Sequence, residues 1–115
     1  FLLIIFYVLY KLTTPSTYTY LFHNANYKEI DENNIINIEV SKYTEGGLDS
    51  YVVTDKEELD NLYSYLSNIK IGEETDMACD DNTTIYTINL KDNSNKKVEI
   101  ECDWIIINNK RYIIK

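Results

Sequence analysis

Apolar and polar residues alternate along several stretches of the chain and repeat at helical spacing in one. From Ile35 to Tyr43, Ile36, Ile38 and Val40 fall on one side, and Asn37, Glu39 and Ser41 on the other. That period of two predicts a half-buried strand. Thr44-Glu45-Gly46-Gly47 supplies a turn, because glycine accepts positive φ without steric cost, and Ser50 to Thr54 forms the return strand. A helix follows. Thr54 with Glu57 has capping-box spacing, and Asp55, Glu57 and Glu58 suit the positive end of a helix dipole. Leu59, Leu62, Tyr63, Leu66 and Ile69 repeat every three or four residues and form one apolar stripe.

Gly72 closes this region, and Glu73 to Asn82 reads as an acidic loop. Tyr86, Ile88 and Leu90 then share one face of a strand, and Val98, Ile100 and Cys102 face inward on the next, with Asp92-Asn93-Ser94-Asn95 as the turn between them. Trp104 to Asn108 and Arg111 to Lys115 form a last hairpin around Asn108-Asn109-Lys110, where asparagine tolerates the left-handed backbone of a tight turn. Short connections favour antiparallel neighbours. The predicted class is α+β: an antiparallel sheet of about five or six strands in the order ββαββββ, with one amphipathic helix on one face.

The amino end breaks from this pattern. Residues 1–12, FLLIIFYVLYKL, carry no polar residue at helical spacing on any face, and Tyr7, Tyr10 and Lys11 resemble an interfacial end. Thr13-Thr14-Pro15-Ser16-Thr17 then interrupts any helix. Neither a small-x-small cleavage pattern nor a lipid-accepting cysteine follows the run. It reads as an apolar helix that is the remnant of an uncleaved membrane anchor or signal anchor. The competing reading is an apolar segment packed on the domain's own sheet. Residues 13–34 read as a juxtamembrane connector with a short helix near Asn26 to Ile30, and residues 35–115 as the α+β domain. A single amino-terminal anchor places that domain outside the cytoplasm, at the cell membrane.

At 115 residues the chain suits one domain, and 44% hydrophobic residues suffice for a core. Nineteen acidic residues against eleven basic ones give a net charge of −8, and the basic residues cluster no further than Lys96-Lys97 and Lys110-Arg111. Phosphate backbones repel such a surface, so nucleic acid is disfavoured as a partner. Asn, Ile, Tyr and Lys are abundant, a bias toward AT-rich codons that points to an AT-rich genome.

No constellation amounts to a catalytic signature. Glu73, Glu74, Asp76, Asp80 and Asp81 lack the alternating spacing and central glycine of an EF-hand and read as a solvated acidic loop. His23 is the lone histidine, and no nucleophile-elbow motif accompanies it. Cys79 and Cys102 have 22 residues between them, which excludes CxxC redox or zinc patterns. They are either a disulfide or, with Cys102 facing the core, free thiols. Asn82-Thr83-Thr84 matches the N-glycosylation pattern, which matters only in a eukaryotic secretory pathway. The reading therefore calls for no catalytic residue, no metal and no cofactor. Tyr43, Tyr51 and Tyr65 have no place in the predicted core and, with Asp76, Asp80 and Asp81, form the candidate interaction surface.

The strand Ile36 to Val40, the helix entry Thr54-Asp55-Lys56-Glu57 backed by Leu59, Leu62 and Leu66, and the closing Ile105-Ile106-Ile107-Asn108-Asn109-Lys110-Arg111-Tyr112 hairpin carry a resemblance. Over residues 35–115 the chain resembles the small exported or lipoprotein-like domains of unknown function from low-GC Gram-positive bacteria. The resemblance implies a fold and an envelope location but no active site, and the lipid-bearing cysteine of the lipoproteins is absent. The expected role is a membrane-tethered, extracytoplasmic interaction or accessory domain without catalysis, with the membrane as partner through residues 1–12 and a protein or cell-wall polymer beyond it. Two rivals stand beside it. One is an immunity-type or inhibitor protein whose acidic surface neutralises a basic partner. The other is a small hydrolase using acidic-loop carboxylates.

Overall fold

The strand expected at Ile35 is present and organises everything around it. In the computed structural model, which describes residues 18–77, 79 and 82–115, strand β2 (Ile35–Thr44) pairs with β3 (Gly47–Val53) on one side and β5 (Thr83–Leu90) on the other. Ile38 lies opposite Val53 and Ile88, and Val40 opposite Tyr51 and Tyr86, so these side chains share the face that the helix covers. Ile36, expected on that face, is exposed instead. The register slips between Ile35 and Asn37, and this bulge turns Ile36 out while Ile35 packs against the core.

Helix α1 (Lys56–Ser67) begins one residue later than predicted. Asp55, not Thr54, is its N-cap, accepting a hydrogen bond from Glu58 N at 3.2 Å. Leu66 is fully buried, and Leu59, Leu62 and Tyr63 pack against the core, as the stripe predicts.

Among the described residues eight strands form one antiparallel sheet, larger than the five or six expected; in spatial order they are β1 (Thr19–Tyr20), β4 (Lys70–Thr75), β8 (Lys110–Ile114), β7 (Trp104–Ile107), β6 (Asn95–Glu101), β5, β2 and β3. The α+β class stands. The two added strands are β1 (Thr19–Tyr20) and β4 (Lys70–Thr75), which lie side by side at the end of the sheet opposite β3. Helix α1 carries the chain from the last strand of the sheet to the second, and β5 to β8 return as a meander: β5, β6 (Asn95–Glu101), β7 (Trp104–Ile107) and β8 (Lys110–Ile114). The last hairpin turns on Asn108 at φ 53° and Asn109 at φ 66°, the left-handed pair the sequence called for.

Residues 18–34 are not a connector. Leu21, Phe22, Tyr27 and Ile30 are buried in the same core as the sheet, held by two 3-10 turns, Leu21–His23 and Glu32–Asn34. Phe22 stacks on Tyr63 of α1 with ring centroids 5.1 Å apart, and the Tyr27 hydroxyl donates to the Lys97 carbonyl at 3.0 Å. Asp31 and Asn34 form a capping box around the second turn. The short helix expected near Asn26 to Ile30 is a run of turns. Among the described residues no helix is long and apolar enough to cross a membrane. The expected anchor and apolar helix at 1–12 lie outside the described residues.

Candidate functional site

Sheet register sorts the expected interaction residues onto separate surfaces. Tyr51 and Tyr65 converge on the helix side, where Tyr86 stands between them: its ring centroid lies 6.4 Å from that of Tyr65, and Tyr51 is its neighbour across β2. Burial, with the adjoining Tyr65 and Tyr51 hydroxyls, pushes the Tyr86 phenol up to about 12. Lys42 Nζ sits 5.8 Å from the Tyr51 ring centroid. Tyr43 faces the opposite side, which carries no helix among the described residues. Asp76 is exposed beyond the end of β4, four strands from β5 in the sheet, and joins neither tyrosine group. Asp80 and Asp81 lie outside the described residues.

The acidic loop is also shorter than expected. Glu73 and Glu74 belong to β4 and point to opposite faces, with the Lys115 ammonium 3.5 Å from Glu73 and Tyr112 opposite Glu74. Among the described residues no three His, Cys, Asp or Glu side chains converge as metal ligands would. His23 is exposed at the end of the first 3-10 turn, edge-on to Tyr20 with centroids 5.8 Å apart.

Cys79 and Cys102 are joined by a disulfide, their Cα atoms 6.2 Å apart. The expectation that Cys102 faces the core fails on register. Glu101 is the last residue of β6 and lies opposite Thr83, so Cys102 falls just past the strand, exposed in the β6–β7 turn at φ 49°. There its N–H donates to the Asn82 carbonyl at 3.1 Å, which brings the chain carrying Cys79 alongside.

The most distinctive surface is one of which the sequence reading named only Tyr43 and Tyr51. Every residue from Lys42 to Val52 is exposed, spanning the end of β2, its turn and nearly all of β3. On the helix-free face Tyr43 pairs with Leu48, Ser41 with Ser50 and Glu39 with Val52, and the two serine hydroxyls lie 3.2 Å apart. Tyr43 is 46%, Val52 52% and Leu48 59% exposed. The middle of the same face differs: Glu101 and Arg111 pair at 3.1 Å across the sheet, and Trp104 and Ile106 beside them in register are half-buried. Leu48 and Val52 had a signal in the sequence. In Ser50-Tyr51-Val52-Val53 two valines are adjacent, so one must face away from the core, and Leu48 shares its parity.

β3 is also an edge. Among the described residues nothing pairs along its outer side, so alternate backbone N–H and C=O groups there are open to another strand. It carries no lysine, proline or bulge: its register with β2 runs unbroken through seven pairs, and its one charge is Asp49. An open, regular strand edge flanked by exposed Leu, Tyr and Val is equipped to accept an added strand through backbone hydrogen bonds and alternate side chains. Comparison with known proteins adds nothing to this geometry: no family model, no curated protein and no solved structure matches the chain.

Proposed function

We propose that this chain is a non-catalytic docking domain, tethered to the membrane by its apolar amino end and held outside the cytoplasm, that binds its partner along the β3 edge. The observation that carries the reading is the unprotected edge itself. Soluble sheets normally blunt their edges with charge, proline, bulges or short strands, and β3 has seven residues with exposed Leu48, Tyr51 and Val52. The disulfide between Cys79 and Cys102 supports an oxidising compartment, where such bonds persist. The apolar run at residues 1–12 supports the tether.

Site-specific photocrosslinking in intact cells tests this. A photoreactive residue at Leu48 is expected to give adducts, while one at Glu57, on the exposed first turn of α1, gives none. The protein is expected to sediment with membranes and to be cleaved by protease added outside the cell membrane. A soluble, protease-shielded protein without Leu48 adducts would overturn the proposal.

A further inference from the structure

The sequence of β3 is suited to pair with itself. We infer, resting on the docking role of the β3 edge, that its occupant is β3 of a second copy of this chain, joined antiparallel about a two-fold axis at Ser50 so that the two sheets become one.

The strand runs Gly47-Leu48-Asp49-Ser50-Tyr51-Val52-Val53. Two such strands centred on Ser50 overlap along their whole length, about 23 Å at the usual rise per residue. Leu48 of each copy then lies opposite Val52 of the other, on the helix-free face where both are exposed. Cross-strand apolar pairs of this kind stabilise antiparallel sheets. Ser50 meets Ser50 on the same face, extending the row that Ser41 and Ser50 already form. On the helix side Asp49 meets Tyr51 of the other copy, a carboxylate beside a phenol, and Lys42 stands across from Asp49 within its own copy. The one charge on the strand is therefore never opposite its like.

Neighbouring registers are worse. Centring on Asp49 sets two carboxylates face to face, and like charges directly opposite are destabilising. Centring on Tyr51 shortens the overlap and leaves Leu48 without a partner. Both hairpins already have the regular, unbulged register that an added strand needs. An extended basic peptide drawn by the net charge of −8 is the rival occupant, but β3 itself offers it one carboxylate.

The test uses the full chain in mild non-ionic detergent, with sedimentation equilibrium to follow association and hydrogen exchange to follow the β3 amides. The expected result is a reversible dimer, with protection of β3 amides rising as protein concentration rises. Leu48→Glu and Val52→Lys each weaken association by about tenfold, because each substitution acts twice about the axis. Combining them restores affinity to within about threefold, since each new carboxylate then faces a new ammonium on the other copy. Circular dichroism of the variants is expected to be unchanged, as both positions are exposed. A dimer insensitive to these substitutions, or one weakened by both without recovery in the combination, overturns the inference. A chain that stays monomeric while Leu48 still crosslinks to another protein overturns self-pairing and leaves the docking role standing. Monomers whose β3 amides are protected equally at every dilution overturn both.

Discussion

The two ends of the sheet are built on opposite principles. At one end β1 has two residues, and β4 beside it breaks register between Ile71 and Glu74. Lysines guard this end: Lys70 Nζ lies 4.9 Å from the Tyr18 ring centroid and 5.9 Å from that of Tyr20, and Lys115 reaches Glu73. Behind β1, the Leu21 N–H donates to the Ile69 carbonyl at 2.9 Å and its side chain is fully buried. A short strand, a bulge and inserted ammonium groups are the devices that stop a sheet from growing. Among the described residues the β3 end has neither a short strand nor a bulge, and the one ammonium near it, Lys42 over the Tyr51 ring, comes from the inner strand β2. The same chain thus closes one edge of its sheet and leaves the other open, and that asymmetry is what the proposed docking role rests on.

A fully buried side chain at the closed end should give the largest effect. Leu21→Ala is expected to cost about 2–5 kcal/mol, the range for a buried leucine whose removal leaves a cavity. Urea denaturation checks it, and a loss below about 1 kcal/mol would mean that residues 18–34 are not part of the cooperative core. Next comes the disulfide. Replacing both Cys79 and Cys102 with serine should cost about 3 kcal/mol through the freed loop of the unfolded chain, and the same loss should follow chemical reduction. Exchange rates in β3 are expected to stay unchanged, because the bridge ties the β4–β5 connection to the β6–β7 turn and touches neither strand of the open hairpin.

How much of this was legible in the sequence follows the same division. The open half could be read: β2, its turn, α1 and the meander all announce themselves through strict periods, since each has one face in the core and one in solvent. The closed half could not. Leu21 and Phe22 enter the core from a 3-10 turn, and Tyr27 and Ile30 from the run of turns after it, segments whose side chains follow neither a period of two nor one of 3.6. In β4 one residue, Ile71, is buried and a glycine and two glutamates follow, so the strand resembles a loop. The Asp31–Asn34 capping box was a visible hint that residues 18–34 were structured. The candidate site was half legible: Tyr43 and Tyr51 lie on the hairpin, but Leu48 and Val52 look like core residues until their parity is followed across the turn. Cys102 was misplaced because a shift of register by a few residues moves a side chain from core to turn.

Two smaller effects sharpen the contrast. Gly72 sits inside the closed end, where an added Cβ would lie 3.1 Å from the Ile113 carbonyl and 2.7 Å from the Lys115 side chain. Lysine can swing aside but the carbonyl cannot, so Gly72→Ala should cost about 1–3 kcal/mol by thermal denaturation. Toward the open end, the Tyr86 phenol is raised from 10.0 to about 12, chiefly by burial. A raised folded value means that the fold holds the proton more tightly than the unfolded chain. The stabilisation is therefore complete below pH 10 and is lost as pH rises from there to about 12. Tyr86→Phe should flatten that alkaline slope, leaving the contribution of Tyr27 and Tyr63, whose phenols burial also raises. An unchanged slope would show that Tyr86 is open to solvent.

The smallest expected change in stability is the one that separates the two edges most sharply. Leu48 and Leu21 are the same side chain, one within the outer strand β3 and the other directly after the outer strand β1. Leu21 is fully enclosed, whereas Leu48 keeps 59% of its surface in water. Truncating Leu48 to alanine removes little apolar area from the folded monomer's interior and leaves no cavity, so unfolding free energy at high dilution should shift by no more than about 0.5 kcal/mol. What Leu48→Ala should lower is binding along β3, because the same exposed area becomes buried once a strand is added. Measuring stability and association on one variant separates the two roles. A destabilised monomer with undiminished association would mean that Leu48 serves the fold, and the open edge would then need another explanation for its exposed apolar row.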